Sequence, residues 1–209
     1  VSDRTQALRE LLVYGSYLQN HATHLYVFAA PDYLGMESVF PLSEADPELF
    51  AKALSLKALG NELCTAIGGR SVHPITAVVG GFTHEISVDE YLRLAEKLQA
   101  MVPFVLDTVD LFRDWNGVDI RTKGNMLAMV QAGHYPVCTS DEALFVRTQE
   151  RFQAKDVAEA IEEYAVPHSA ALLAKVRSTG TPFFTGALAL INASWDNLTK
   201  EAKVASAKA

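Results

Sequence analysis

Cysteine is scarce in this sequence: the 209 residues contain two, Cys64 and Cys138, which lie far apart. Without a CxxC pair, this chain alone provides neither a disulfide framework nor a metal site made of four thiolates. We expect both thiols to be buried and unreactive, because free cysteine is among the most buried residue types.

Long apolar runs and an excess of positive charge are missing as well. No apolar stretch approaches the roughly 20 residues that a membrane-spanning helix needs, and the opening VSDRTQALRE has neither the basic nor the apolar segment of a secretory signal. We therefore expect no membrane partner and a cytoplasmic location. The formal net charge of −7 argues against nucleic acid as a partner.

Helical periodicity dominates what is present, and 49% hydrophobic residues suffice for a sizeable core. Apolar side chains recur at spacings of three and four over about residues 5–30, which predicts a long helix that ends at Pro31. Asp46 before Pro47 predicts the beginning of a second helix, and Gly68-Gly69 predicts its end.

The rest of the chain also has mostly helical patterns. The capping box Ser87-Val-Asp-Glu90 predicts the beginning of a third helix, which Pro103 should kink. Asn116-Gly117 predicts a turn, and Asp156 predicts a further helix cap. Shorter helices are predicted at 123–132, 157–164, 169–177, 187–198 and from 199 to the end.

One small extended element is expected, at 75–79. The predicted fold class is therefore mainly α, a multihelical bundle with one small extended element. We find no repeat and no low-complexity linker, and so we expect a single domain over residues 1–209.

One connection between predicted helices differs from the others. It comprises residues 67–86, begins IGGRSVHPITAVVGGF, and is called the connecting loop below. Roughly 18 residues without helical patterning are more often functional than not in a compact domain. The glycine pairs permit positive φ, and Pro74 holds His73 out of the α region, so Arg70 and His73 lie on constrained backbone. The alternative is that Arg70 pairs with a carboxylate and His73 makes a buried hydrogen bond.

Three blocks of the sequence, in the same order, resemble one family. The segment GNELCTAIGGRSVHPITAVVGGF resembles a helix that runs into GGRxxHPxxxxxGG. Upstream, LRELLVYGSYLQNHATHLYVFAAPDYLG resembles a helix with (S/N)HxxH, an apolar stretch and PD. Downstream, FFTGALALINASWDNLTKEAK resembles G-(P/A)-L-(A/S)-R-(I/L)-N, with Ala189-Leu190 where an arginine is usual. These blocks resemble the large subunit of nickel-iron hydrogenases, especially the cytoplasmic multi-subunit kinds linked to F420 or NAD(P).

The resemblance covers the middle of such a subunit. In that family an RxCGxC segment and a DPCxxC segment provide four cysteine ligands of the metal centre, and this sequence contains neither. Nickel and iron require soft thiolate ligands of this kind. The parent family therefore carries a Ni-Fe centre, while we expect none to be bound by this chain alone.

The resemblance also implies site residues that lie outside the set of metal ligands. His73-Pro74 resembles the family's HP element, whose histidine lies near an iron-sulfur cluster of the small subunit. Asp32 resembles a carboxylate that positions an arginine above the nickel, and Arg70 belongs to the GGR part of the motif. His21 and His24, three residues apart, are interpreted as part of the helical bundle rather than as metal ligands.

The implied activity is the reversible heterolytic oxidation of H2, with electrons passed to a partner, the iron-sulfur small subunit. We expect the chain to be inactive alone and to self-associate through apolar faces left uncovered. Two alternatives remain. One is the quinone-reducing subunit of respiratory complex I, whose motif tends to be GARMHP where this sequence has GGRSVHP. The other is a non-catalytic helical interaction module.

Overall fold

The computed structural model describes residues 1–113, 123–136 and 140–208, and the chain divides into two compact units. Val1–Trp115 form most of the first unit and Asn116–Ala207 form the second. The first unit is built from helices, whereas the second contains most of the strands. The fold is thus rich in helix, as predicted, but it is not purely α. That both units belong to one domain stays a prediction.

The first helical rod of the chain consists of three segments. Helix α1 (Asp3–Ala22) begins after Ser2, whose hydroxyl accepts a hydrogen bond from the Thr5 amide at 3.2 Å. A π-helical segment (Thr23–Ala29) and helix α2 (Ala30–Leu34) continue the rod. The prediction that Pro31 ends the helix is therefore wrong. Pro31 lies in the first turn of α2, directly after the wider π-helical turns, and this is a position that tolerates a residue without an N–H.

The next helices begin and end where their caps predict. After the short helix α3 (Leu42–Ala45), helix α4 (Pro47–Gly68) begins after Asp46, whose carboxylate accepts from the Leu49 amide at 2.9 Å. It ends at Gly69, which has a left-handed φ of 77°.

Helix α5 (Val88–Phe112) follows the connecting loop. Ser87 caps it by accepting a hydrogen bond from the Glu90 amide at 3.2 Å, which confirms the predicted cap. The predicted kink at Pro103, inside this helix, stays a prediction. No helix of the described residues is long and apolar enough to cross a bilayer.

Helices α1 and α4 approach each other very closely because glycines lie where they cross. A Cβ atom built on Gly60 would be 2.6 Å from the Gln19 backbone nitrogen and 2.9 Å from the Gly15 carbonyl oxygen. Such distances leave no room for a side chain. Beside this crossing, Leu59, Leu63 and other buried residues form a hydrophobic cluster that α5 also joins.

The strands form three small sheets. In chain order they are β1 (Ala77–Val78), β2 (Gly81–Phe82), β3 (Asn125–Val130), β4 (Glu142–Phe145), β5 (Glu150–Gln153), β6 (Ile161–Val166), β7 (Ser169–Val176) and β8 (Phe183–Phe184). The first two pair in the first unit. In the second unit the order β5-β4-β3-β8 makes one sheet, antiparallel except for β3 and β8, and β6 and β7 form an antiparallel hairpin.

Short helices complete the second unit. They are a 3-10 turn (Ala154–Asp156), α6 (Val157–Ala160), α7 (Ala187–Ala193), a second 3-10 turn (Trp195–Asn197) and α8 (Lys200–Lys208). The helix predicted at 187–198 thus exists in shortened form, and the helix predicted from 199 onward is present as α8.

Three helices predicted in the second unit are wrong or incomplete. The segments 123–132 and 169–177 form strands β3 and β7, and only the first turn of 157–164 is helical before β6 begins. Short apolar runs such as NMLAMV fit a buried strand as well as a helix, and pairing with distant strands decides between them. Asp156 does not cap α6 with its side chain. The turn predicted at 116–117 lies outside the described residues.

Candidate functional site

The connecting loop is closed at its base by hydrogen bonds to the end of helix α4. The Gly68 carbonyl accepts from the amides of Ile75 at 2.8 Å and Thr76 at 3.3 Å. The Thr76 hydroxyl, which is buried, donates to the Ile67 carbonyl at 2.6 Å. These bonds bring the two ends of segment 69–75 together and fix them on the helix terminus.

Beyond this base, the loop continues as a small hairpin. Ala77 pairs with Phe82, and the Thr83 amide donates to the Thr76 carbonyl at 2.8 Å. Gly80 turns the chain with a φ of 91°. The extended element predicted at 75–79 is confirmed, although its strand is only two residues long.

Helix α1 braces the loop from the side. The Gln19 side-chain amide donates to the Ser71 carbonyl at 3.0 Å, and the Arg9 guanidinium donates to the Val78 carbonyl at 3.5 Å. A Cβ atom on Gly68 would be 2.9 Å from the Pro74 side chain, so the loop also packs tightly on the end of α4. Neither Gln19 nor Thr76 was predicted from the sequence, because no local pattern marks the contact of Gln19 with Ser71, 52 residues away, or that of Thr76 with Ile67, nine residues away.

His73 has a left-handed backbone with a φ of 57°, which is uncommon for a residue with a side chain. As predicted, it lies outside the right-handed α region. Its side chain is exposed, and so is that of Arg70, with which no described residue forms an ion pair. The alternative of a buried His73 is therefore wrong, and within the described part of the chain no carboxylate pairs with Arg70. The strain at His73 is of order 1–3 kcal/mol, and the bonds on both sides hold it in place.

The exposed surface of segment 69–79 of the connecting loop is largely apolar and has no acidic side chain; Glu85, near the end of the loop, pairs with Arg4. Val72 is 55% exposed, Ile75 57%, Val78 45%, and Val79 is fully exposed. No Asp or Glu occurs between residues 63 and 84, in a chain whose net charge is −7. Arg70 and His73 lie beside these apolar residues and are exposed, and the combination is typical of a protein-binding surface.

A cavity of about 470 Å³ lies between α1, the end of α4 and the connecting loop. Its lining residues are Leu12, Val13, Ser16, Gln19, Asn20, Cys64, Ser71, Val72, His73 and Pro74. Cys64 is buried, as predicted, and burial raises the pKa of its thiol, which keeps the reactive thiolate scarce. Cys138 lies outside the described residues.

Asp32 is not near this loop. It is exposed in the first turn of α2, roughly 20 Å further along the helical rod than Gln19, if each residue advances by about 1.5 Å. No described contact joins Asp32 to Arg70 or His73. Arg70 and His73 thus lie on the same loop, whereas Asp32 lies elsewhere in the first unit.

The pair His21 and His24 lies on the exposed side of the first rod. His21 contacts the Tyr17 ring edge-on at 5.7 Å between ring centroids. Among the described residues, no group of three or more His, Cys, Asp and Glu side chains is arranged to hold a metal ion. His21 instead lines a second cavity of about 530 Å³, which is almost wholly apolar and runs between α1, α4 and α5.

We expect this apolar cavity to bind a neutral hydrophobic dye such as Nile red. Val105 lines the cavity and is 42% exposed, whereas Val102 on the same helix is 50% exposed and does not line it. Val105→Glu should reduce the dye's fluorescence gain several-fold, because it places a carboxylate at the apolar wall. Val102→Glu serves as the control. Equal effects of the two variants in a dye titration would show that the dye does not bind in this cavity.

Comparisons with known proteins agree with the motifs. No protein-family model matches the chain. The chain is 26% identical over 205 residues to one subunit of the F420-non-reducing hydrogenase vhu of Methanococcus voltae, an alignment covering 88% of this chain and 49% of that protein. It is 34% identical over 112 residues to the alpha subunit of sulfhydrogenase 2 of Pyrococcus furiosus, covering 54% of this chain and 27% of that protein.

The fold is also found among solved structures. A crystal structure of an NAD+-reducing NiFe hydrogenase in the H2-reduced state matches with a TM-score of 0.72 and 20% identity, over 90% of this chain and 46% of that chain. The resemblance to nickel-iron hydrogenase subunits is therefore confirmed. The chain spans about half the length of the Methanococcus protein and about a quarter of the Pyrococcus protein.

Proposed function

We propose that this chain is the central part of a nickel-iron hydrogenase large subunit, with the helical bundle of that family. The whole enzyme would oxidise H2 reversibly and pass the electrons to the iron-sulfur clusters of a small subunit. Three ordered sequence blocks and the hydrogenase relatives support this. The structural observation that carries it is the exposed His73 on a braced loop, because an HP element facing a partner must be accessible.

The described residues do not fit a Ni-Fe centre by themselves. Such a centre requires several soft thiolates, and Cys64 is the only described cysteine. Its sulfur is buried and hydrogen-bonds with the Gln19 amide and the Leu12 carbonyl. The metal ligands of the parent enzyme would have to come from residues outside those described, and we derive no step at the metal from this chain.

The contribution of this chain would be the surface that meets the iron-sulfur subunit. The loop is fixed before any partner arrives, so little conformational entropy is lost when it binds. Val72 and Ile75 provide apolar area, and Arg70 provides a guanidinium, the charged group most often found at the energetic centre of an interface. His73 would then lie between the two subunits, on the side toward which the electrons leave.

The alternatives receive less support. The relatives quoted above are hydrogenase subunits, which favours the hydrogenase over the complex I interpretation. A non-catalytic interaction module is distinguished by the coding sequence on both sides of this segment. We expect that sequence to encode an RxCGxC and a DPCxxC segment. Coding sequence without either cysteine pair would contradict the proposal. Self-association and a cytoplasmic location stay predictions.

The partner surface can be tested by affinity measurements with the iron-sulfur small subunit from the same genome. Arg70→Glu should weaken binding by at least about 30-fold, which corresponds to the loss of one central interface arginine at about 2 kcal/mol. Lys155→Glu makes the same charge change at an exposed residue of the second unit. It should change the affinity by no more than about twofold.

Biolayer interferometry with the immobilised small subunit gives both affinities, and circular dichroism verifies that each variant is folded. The absence of binding by the parent chain would contradict the proposed partner. Equal losses in the two variants would show a general effect of charge rather than a specific surface.

A further inference from the structure

The structure assigns to Gln19 the role of positioning residue for His73; this rests on the proposed function of the connecting loop. Gln19 lies on α1, where α1 and α4 are closest. Its side-chain nitrogen has two N–H groups, and both have acceptors on other elements: the Ser71 carbonyl at 3.0 Å and the Cys64 sulfur at 3.9 Å. One amide group therefore ties together α1, α4 and the loop.

The position of the Ser71 bond explains why it matters for His73. Ser71 lies two residues before His73, and Pro74 follows directly. After them, the Ile75 amide is bonded to the Gly68 carbonyl at 2.8 Å. The left-handed backbone of His73 is thus held between two fixed points, of which Gln19 provides the first. Strained backbone persists only where its surroundings determine it in this way.

Another amide on the same cavity wall provides a matched control. Asn20 also lines the 470 Å³ cavity, but its side-chain nitrogen donates to the Ser16 carbonyl of its own helix at 2.8 Å. Removing that amide should leave the connecting loop unchanged. Gln19 and Asn20 are adjacent and line the same cavity, so each substitution removes one amide from the same wall. Asn20→Leu also improves helix propensity, whereas Gln19→Leu leaves it nearly unchanged, so the control is not expected to loosen α1.

The first experiment compares Gln19→Leu with Asn20→Leu in the chain itself. Hydrogen exchange should show that Gln19→Leu speeds exchange of the Ile75 and Thr76 amides about tenfold, the loss of roughly one hydrogen bond's stability, 1.4 kcal/mol. The ring C–H resonances of His73 should move toward their values in an unfolded peptide. Asn20→Leu should change neither. An unaltered His73 spectrum in folded Gln19→Leu would overturn the assignment.

A second variant tests the hydrogen bond itself by rescue. Gln19→Glu keeps the shape of the side chain, but an ionised carboxylate cannot donate a hydrogen bond to the Ser71 carbonyl. At neutral pH it should behave like Gln19→Leu. Below about pH 4, where a carboxyl group of ordinary pKa is protonated and can donate, its His73 spectrum should return toward that of the parent at the same pH. A spectrum that stays altered at low pH would overturn the role of the bond.

These measurements are independent of the partner. If Gln19→Leu releases His73 and also weakens binding to the iron-sulfur small subunit, the positioning role and the proposed function are both supported. If His73 is released while the parent chain shows no binding to that subunit, the positioning role stands and the proposed function fails. If binding weakens without any change at His73, Gln19 does not act through His73 and the inference is overturned.

Discussion

Gly60→Ala should lower the free energy of unfolding of the first unit by about 2 kcal/mol. Alanine is the better helix former by up to about 1 kcal/mol, but overpacking costs about 1–3 kcal/mol. The overpacking term is expected near its upper limit, because the new Cβ atom would meet the backbone nitrogen of Gln19 at 2.6 Å. A flexible side chain can move away from such a contact, but the backbone of a packed helix cannot.

The comparison that isolates this effect is Gly81→Ala. Gly81 has open space where a Cβ atom would be, and its φ is not in the left-handed region. Urea denaturation followed by circular dichroism should therefore show a lower midpoint for Gly60→Ala and an almost unchanged midpoint for Gly81→Ala. A Gly60→Ala midpoint equal to that of the parent would show that α1 and α4 are not in close contact at this crossing.

The same crossing connects stability with the candidate site. If an alanine at position 60 pushes the helices apart, Gln19 moves with α1, while Ser71 remains with α4 through the bonds at Gly68. We therefore expect the exchange protection of the loop amides to fall in Gly60→Ala as well. Helix packing in the interior thus determines how the loop is presented at the surface.

Local chemistry predicted the ends of the helices well. Asp46, Ser87 and Gly69 act through hydrogen bonds or backbone angles within one turn of the chain, so their effects are visible in a short stretch of sequence. The strands of the second unit could not be predicted in this way. NMLAMV became β3 because β4, the next strand along the chain, and β8, more than 50 residues further on, pair with it, and neither partner lies within the short stretch that its pattern covers.

The candidate site likewise has features that local sequence predicts and features that depend on contacts between distant residues. The sequence predicted that His73 would be held out of the α region, because the cause is the proline that follows it. It did not predict that Gln19 braces the loop, since 52 residues separate Gln19 from Ser71 and the contact exists only once α1 packs on α4. Asp32 was grouped with Arg70 and His73 by family resemblance, whereas the described contacts place it on a different part of the first unit.

Tyr26→Ala should be more destabilising than any substitution above, at about 3–5 kcal/mol, the range for removing a large buried aromatic side chain. Tyr26 lies in the π-helical segment and is 1% exposed. Its ring stacks on Phe104 of α5 at 5.3 Å between centroids, and its hydroxyl hydrogen-bonds with Thr108. The substitution should also loosen α2, which follows directly and bears Asp32.

Tyr26→Phe separates the ring from the hydroxyl. It keeps the stacking on Phe104 and loses only the bond to Thr108, so its cost should be about 1 kcal/mol.

Burial raises the pKa of Tyr26, a nearby Asp107 raises it further, and the Thr108 bond partly offsets both effects. The pKa of Tyr26 is thus higher in the folded than in the unfolded state, so the contribution of its protonated side chain to the free energy of unfolding is complete below about pH 10. This contribution is lost as pH rises through the folded-state pKa. Urea titrations at alkaline pH should therefore show a shallower loss of stability in Tyr26→Phe than in the parent, whereas parallel losses would show that Tyr26 ionises equally easily in both states.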